Sequence, residues 1–349
     1  MAEVDKPAVS QTENFSGKPR RRGCLGHCAR FWWAYLIALA VIVVVVVPCV
    51  ILVAVPKLAQ QKVDEAQFEV DSIVVTNTKT QNLTMAINSV IRTDGSVHAT
   101  IDAFQGVMYL EDIPSHTPFA TLDFPQTTAD AFQTVNVSQF LPITDVKALT
   151  VFNTWLLANE SLRVTVSGDT HVHVRGISRA YPITFKKTLT LSGLNALNGL
   201  VVNQSSISLK PDAQGDNFFA TVYVPNASPV TFELGNVSFH NYLFGQDIGT
   251  VYIDNVILKS GMNVYPLRAN ISQTPVVNAL GQKDFCQGPN QGILPFVLSG
   301  KSVVNHGQSL PYFADALAAV NKSVSIDIGT PIKKLLGQSI PCSKNDTSS

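Results

Sequence analysis

Twenty-five consecutive residues, Phe31–Val55, carry no charged side chain and read FWWAYLIALAVIVVVVVPCVILVAV. This run constrains the chain more than any other feature. As a helix it spans roughly 37 Å, more than the roughly 30 Å of a bilayer's hydrocarbon core. A transmembrane helix over 31–55 is therefore expected. A cleaved signal peptide has an apolar region of only about 7–15 residues, so the run reads as an uncleaved signal-anchor. Trp32, Trp33 and Tyr35 stand at one end, where amphipathic rings favour the headgroup layer. Pro48 is tolerable inside a membrane helix because neighbouring groups satisfy the carbonyl it frees.

The flanks set an orientation. Lys18, Arg20, Arg21, Arg22 and Arg30 precede the run, whereas Lys57 and Lys62 are answered at once by Asp64 and Glu65. Positive charge close to a span stays cytosolic. The expected topology is single-pass type II, with a cytosolic N-terminal tail (1–30) and a luminal or extracellular body. The formal net charge of zero conceals a split: six of the 25 basic and three of the 25 acidic residues fall in the tail. The body is thus slightly acidic and has no basic stripe, which argues against nucleic acid as a partner. The basic tail would be drawn to anionic lipid, or it simply sets topology.

The tail up to Gly17 is polar and patternless, and disorder is expected. RRRGCLGHCAR follows it. Cys24, His27 and Cys28 are too few for a zinc site, which takes four ligands. Cysteines on the cytosolic flank of a span are instead candidates for S-palmitoylation, at Cys24 and Cys28; free thiols are the alternative. The sequon at Asn14 would lie on the cytosolic side, away from glycosylation.

The body reads as strands. Leu162, Val164, Val166, Thr170, Val172 and Val174 share one phase of a period of two, and Arg163, Thr165, Ser167, Asp169, His171, His173 and Arg175 share the other. That is the alternation of half-buried antiparallel strands, with Gly168-Asp169 expected as a bend and Asp94-Gly95 as a tight turn. TDVKALTVFNTWLL predicts one helix, with Thr144 as a cap, Asp145 in the first turn, and Leu149, Phe152 and Leu156 facing inward. The pattern then recurs. Phe218, Ala220, Val222 and Val224 form a strand face, Pro225-Asn226 and Ser228-Pro229 a turn, and Val230, Phe232 and Leu234 the next strand. LPFVLSGKSVV, PYFADALAAV and KSVSIDIG follow as strand, short helix and last strand. The expected architecture is mainly β: an N-terminal transmembrane helix, then two tandem antiparallel β-sandwiches (65–200 and 201–342), each with one short helix, and a disordered C-terminus (343–349).

Within this pattern, ATVYVPNASPVTFELGNVSF and GQDIGTVYIDNVILKSG resemble the LEA-2 or water-stress-response (WHy) sandwich, whose asparagine-proline turn appears here in reversed order as Pro225-Asn226. NSVIRTDGSVHATIDAFQGVMYL and PFATLDFPQTTADAFQTVNVSQF resemble the fungal, membrane-anchored branch of that superfamily, a domain of unassigned function. The resemblance implies single-pass proteins with a luminal or extracellular sandwich pair, in fungi often on the vacuolar membrane. The family has no catalytic residues to carry over.

The sequence holds no GxSxG, P-loop, GxGxxG or HExxH motif, and no enzyme, cofactor or metal site is expected. His171 and His173 share one strand face but lack a third ligand, and read as a solvated face beside Arg163 and Arg175. Asp102, Asp112 and Asp123 are scattered. Compartment signals are better. Sequons stand at Asn82, Asn136, Asn159, Asn203, Asn226, Asn236, Asn270, Asn321 and Asn345. Pro229 weakens the one at Asn226. The glycosylation candidates are Asn82, Asn136, Asn159, Asn203, Asn236, Asn270 and Asn321. Cys286 and Cys342 would be free to pair in an oxidising lumen, or would remain buried thiols. Two functional readings follow: an interaction or scaffold module for a luminal protein partner, or a lipid-binding or lipid-transfer module at the membrane surface.

Overall fold

A computed structural model describes residues 32–343. The apolar run is helical, as α1 (Trp32–Cys49), a π turn (Val50–Ala54) and α2 (Val55–Glu65). Proline lacks an N–H and crowds the preceding turn. Here Pro48 lies near the end of α1, and the turn that follows is widened, with Val55 N–H donating to Val50 O five residues back. Among the described residues this is the one helix long and apolar enough to cross a membrane. It fits a single-pass membrane protein.

Leu58 begins a second compact unit that takes in the rest of the described chain. Its first half holds β1 (Gln67–Thr76), β2 (Asn82–Arg92), β3 (Ala99–Ile101), β4 (Phe104–Leu110), β5 (Ala120–Phe124), β6 (Thr127–Thr128) and β7 (Phe132–Pro142). Then come α3 (Val146–Ala158), β8 (Ser161–Val174), β9 (Ala180–Ser192) and a 3-10 turn (Asn195–Leu197). The second half holds β10 (Val201–Ile207), β11 (Phe218–Asn226), β12 (Val230–Leu243), β13 (Gln246–Leu258) and β14 (Gly261–Ile271). It closes with α4 (Gln273–Leu280), α5 (Lys283–Cys286), β15 (Ile293–Asn305), β16 (Gln308–Ser309), α6 (Pro311–Ala319), β17 (Lys322–Asp327) and α7 (Gly329–Leu336).

These strands make two sheets in a sandwich-like arrangement. The larger runs β10-β11-β14-β13-β12-β1-β2-β7, with β15 also on β12 and β16 and β17 on β15; the smaller runs β5-β4-β8-β3-β6, with β9 on β8. Alternation decides which faces meet. Leu83, Met85 and Ile87 of β2 and Val135 and Val137 of β7 turn inward, as do Leu162, Val164 and Val166 of β8. Phe68 of β1 edges onto Phe185 of β9 at 6.2 Å, and Phe104 tilts onto Phe185 at 5.2 Å. Each such ring buried contributes roughly 1.5–3 kcal/mol.

The tandem segments 65–200 and 201–342 share a strand ladder. β1 runs parallel to β12, with Ile73 opposite Val230 and Val75 opposite Phe232. The joint continues in side chains: Thr78 Oγ1 donates to Glu233 O at 2.7 Å, Asn305 Nδ2 to Thr78 Oγ1 at 2.8 Å and Tyr312 hydroxyl to Lys79 O at 2.9 Å. The later segment also carries four short helices where one was expected.

Two local expectations are corrected. The cap of α3 is Asp145, not Thr144: its Oδ1 accepts from Ala148 N at 2.9 Å, the reach of a carboxylate to the third helical N–H. Gly168-Asp169 is no bend, because β8 runs unbroken through it. Glycine is needed there because a Cβ would stand 2.4 Å from Gln105 O, so the absent side chain admits a neighbouring backbone.

Candidate functional site

The concave face of the second half does not close on itself. Val222 and Val224 of β11, Phe232 and Leu234 of β12, Ile253 of β13 and Leu267 of β14 leave a cavity of about 100 Å3, roofed by α3, the 3-10 turn and α6. Apart from Asn153, Tyr265 and Lys322, every lining side chain is hydrocarbon. The polar heads of buried Asn153 and half-buried Tyr265 are committed elsewhere: Asn153 Nδ2 donates to Tyr312 O at 3.2 Å, and Tyr265 hydroxyl to Ile257 O at 2.6 Å. Lys322 is half-buried at the start of β17.

A bulge in β12 shapes this wall. The register with β13 shifts on both sides of Gly235, which has φ 73°. A Cβ there would lie 2.6 Å from Val304 O. Bulges bend a strand and re-aim its side chains, here so that consecutive Leu234 and Gly235 are both buried. Protein interiors rarely leave voids larger than a water. At about 24 cal/mol per Å3, a void of this size costs on the order of 2 kcal/mol if it stays empty. A larger cleft of about 310 Å3 lies beside α2, but its charges are already matched: Lys62 with Asp94 at 2.6 Å, and Arg92 with Glu69 at 3.4 Å.

The residues singled out from sequence are dispersed. Asn136, Asn203, Asn236, Asn270 and Asn321 are exposed, and Asn82 and Asn159 are half-buried. Asn226 is 2% exposed and acts as structure: its Nδ2 donates to Val230 O at 2.9 Å, while its Oδ1 accepts from Ser228 N at 2.8 Å. Cys286 and Cys342 form a disulfide with Cα atoms 5.2 Å apart. Cys24, Cys28, Asn14 and Asn345 lie outside the described residues. His171 is exposed, and His173 Nε2 lies 2.9 Å from Asp102 Oδ2. Among the described residues no group of three or more His, Cys, Asp or Glu side chains could hold a metal. The cavity escaped sequence reading because its wall has the ordinary alternation of a filled core.

Several carboxylates are held below their ordinary range. Hydrogen bonds do this for Asp102, from His173, and for Asp112, from Arg163. For Asp247 the Gly249 N–H acts first and then His240. Burial pushes Glu233 up, but Asn305, Asn77 N–H and His306 outweigh it and its value ends lower. A carboxyl whose folded pKa is depressed contributes stability above its unfolded pKa, and that contribution is lost as pH falls through the folded value. The unfolding midpoint should therefore owe these groups no loss between pH 7 and 5, and should fall below about pH 4. Thermal melts followed by circular dichroism across that range check this, and a carboxylate-dependent drop above pH 5 would contradict it.

The model of a family described as "Protein of unknown function (DUF3712)" matches residues 117–241. That match reaches from β5 into β12 and includes the 3-10 roof and part of the cavity wall. No curated protein matches the chain. A solved structure of a protein from Archaeoglobus fulgidus is 8% identical with a TM-score of 0.22, over 37% of this chain and 94% of its own. A bacterial adhesin from Mobiluncus mulieris with intramolecular disulfide, isopeptide and ester bond cross-links is 9% identical with a TM-score of 0.19, over 74% of this chain and 97% of its own. At such scores these likenesses carry no argument.

Proposed function

We propose that this chain is a non-enzymatic, single-pass membrane protein whose β body binds an apolar chain, the acyl tail of a membrane lipid. The hydrocarbon-lined cavity carries this reading. Its cost when empty is recovered by any apolar group that fills it, and the protein's own anchor keeps acyl chains close by. The body is proposed to be luminal or extracellular and glycosylated, with the tail cytosolic. The charge flanking the anchor supports this, as does a disulfide of the kind that persists in oxidising compartments. The LEA-2-like stretches add a fungal vacuolar membrane as the proposed location.

A second reading, an interaction or scaffold module for a luminal protein, draws on the outer sheet face. Val201, Tyr223 and Val264 lie directly opposite one another across β10, β11 and β14, and Met262 extends the row. Val264 is 53% and Met262 61% exposed.

Mass spectrometry of the body (57–349) secreted from a eukaryotic host tests both readings. We expect lipid bound near one to one, together with glycan mass. Ala316, 2% exposed in the cavity wall, offers the control. Ala316→Leu should cut bound lipid at least about tenfold while leaving the unfolding midpoint unchanged or raised, because cavity filling stabilises. A wild-type body that neither carries nor takes up lipid would leave the interaction reading. A body without glycan would overturn the topology.

A further inference from the structure

One charged residue lends its stem to the lining of this hydrocarbon cavity. Lys322 is the only charged residue lining it, and among the described residues it makes no ion pair or side-chain hydrogen bond with protein. A lysine can lay its methylenes along an apolar wall and keep its ammonium at the mouth. A half-buried cation without a partner favours an anion over a neutral head.

Part of the lining lies where two outer strands of the larger sheet, β10 and the branch strand β17, approach one another. From β10 through β11, β14, β13, β12 and β15 to β17 every neighbouring pair is antiparallel, so β10 and β17 run in the same direction. They share no ladder. One bond spans them, Ser205 Oγ donating to Asp327 O at 2.8 Å. β10 is itself broken by a register shift between Asn203 and Ser206, with Gln204 at φ 56°. Leu200, just before β10, and Lys322, at the start of β17, both line the cavity. The cavity therefore reaches the foot of a seam that no strand ladder closes.

We propose that the ligand is a single-chain amphiphile with an anionic head, carboxylate or phosphate, whose head rests on Lys322 and whose chain enters at the foot of the β10–β17 seam. The inference rests on the cavity being an acyl site. Size sets the single chain: about 100 Å3 is less than the roughly 150 Å3 that admits one benzene in an engineered cavity. The void therefore takes the end of one chain, with the remainder along the seam.

The test uses the full-length protein in phosphatidylcholine nanodiscs at pH 8, with three diazirine probes of equal chain length: palmitate, hexadecanol and lysophosphatidate. Peptide mapping compares adducts on Pro311–Lys322 with those on Trp32–Val55, which reports bilayer labelling. Palmitate should label the cavity peptide about tenfold more than hexadecanol, the preference of one charge-assisted contact. Lys322→Gln should bring palmitate down to the alcohol's level and leave the alcohol unchanged. Lysophosphatidate labelling beside palmitate would identify the site as one for any anionic head, whereas palmitate alone would identify it as a carboxylate site. Equal labelling by acid and alcohol, untouched by Lys322→Gln, overturns this inference and leaves the acyl site standing. No cavity adduct with any probe overturns both.

Discussion

Arg268→Ala is expected to cost the body about 3 kcal/mol, the lower end of the range for stripping one partner from a buried ion pair. Arg268 Nη1 donates to Asp216 Oδ2 at 2.6 Å, and Nε to Asp254 Oδ2 at 3.0 Å. Its guanidinium also lies 4.5 Å from the Tyr252 ring centroid. The hydrogen bonds it donates to both carboxylates raise its already high pKa, so it stays charged at any working pH. Asp216 is only 1% exposed. Without the guanidinium its charge has neither water nor counter-ion, and that loss dominates. Arg268 itself is 34% exposed, which lets some solvent in and sets the estimate at the low end. Urea unfolding followed by circular dichroism would read the loss, and Arg268→Ala/Asp216→Asn should recover more than half of it, because the stranded charge is gone. A double variant as unstable as the single would show that packing of the Arg268 stem on Tyr252 carries the effect instead.

Cys286→Ala/Cys342→Ala is expected to cost about 4 kcal/mol, the chain-entropy figure for a loop of this length. The bond joins residues 56 apart in sequence and encloses β15, β16, α6, β17 and α7. Ser343 N donates to Gly281 O at 2.8 Å, which fastens the same end. The loss should appear as a lower midpoint in denaturant. A loss under about 1 kcal/mol would mean that this end is held by its packing, with Pro331 and Ile332 of α7 buried.

The sequence made the local periods legible. Alternation at Leu162–Val174 and Phe218–Val224 marked real strands, and Leu149, Phe152 and Leu156 do face inward from a helix. Partnership was not legible. The Ile73–Val230 pairing and the Thr78–Glu233 bond join residues more than 150 positions apart, and no periodicity records such a choice. Glycine was ambiguous for a related reason. At Gly168 a missing side chain answers a neighbouring backbone, while at Gly95, φ 65°, it serves a bend between strands of different sheets where a tight turn was expected, and a sequence shows both as the same letter. The cavity was hidden in the same way, since Val222, Phe232 and Leu267 read as core whether or not anything fills the space between them.

The parallel pairing of β1 with β12 has a consequence for the order in which the chain is made. β1 follows directly on the anchor and is synthesised early, yet its β12 partner near Val230 comes nearly 160 residues later. At 5–20 residues per second that interval is roughly eight to thirty seconds. During it, one side of β1 can pair with β2 while the other presents unpaired N–H and carbonyl groups, an edge open to any strand nearby. The nascent protein would wait beside the translocation site with its sheet half built, and its early vulnerability to misassembly is set by how soon the later segment arrives.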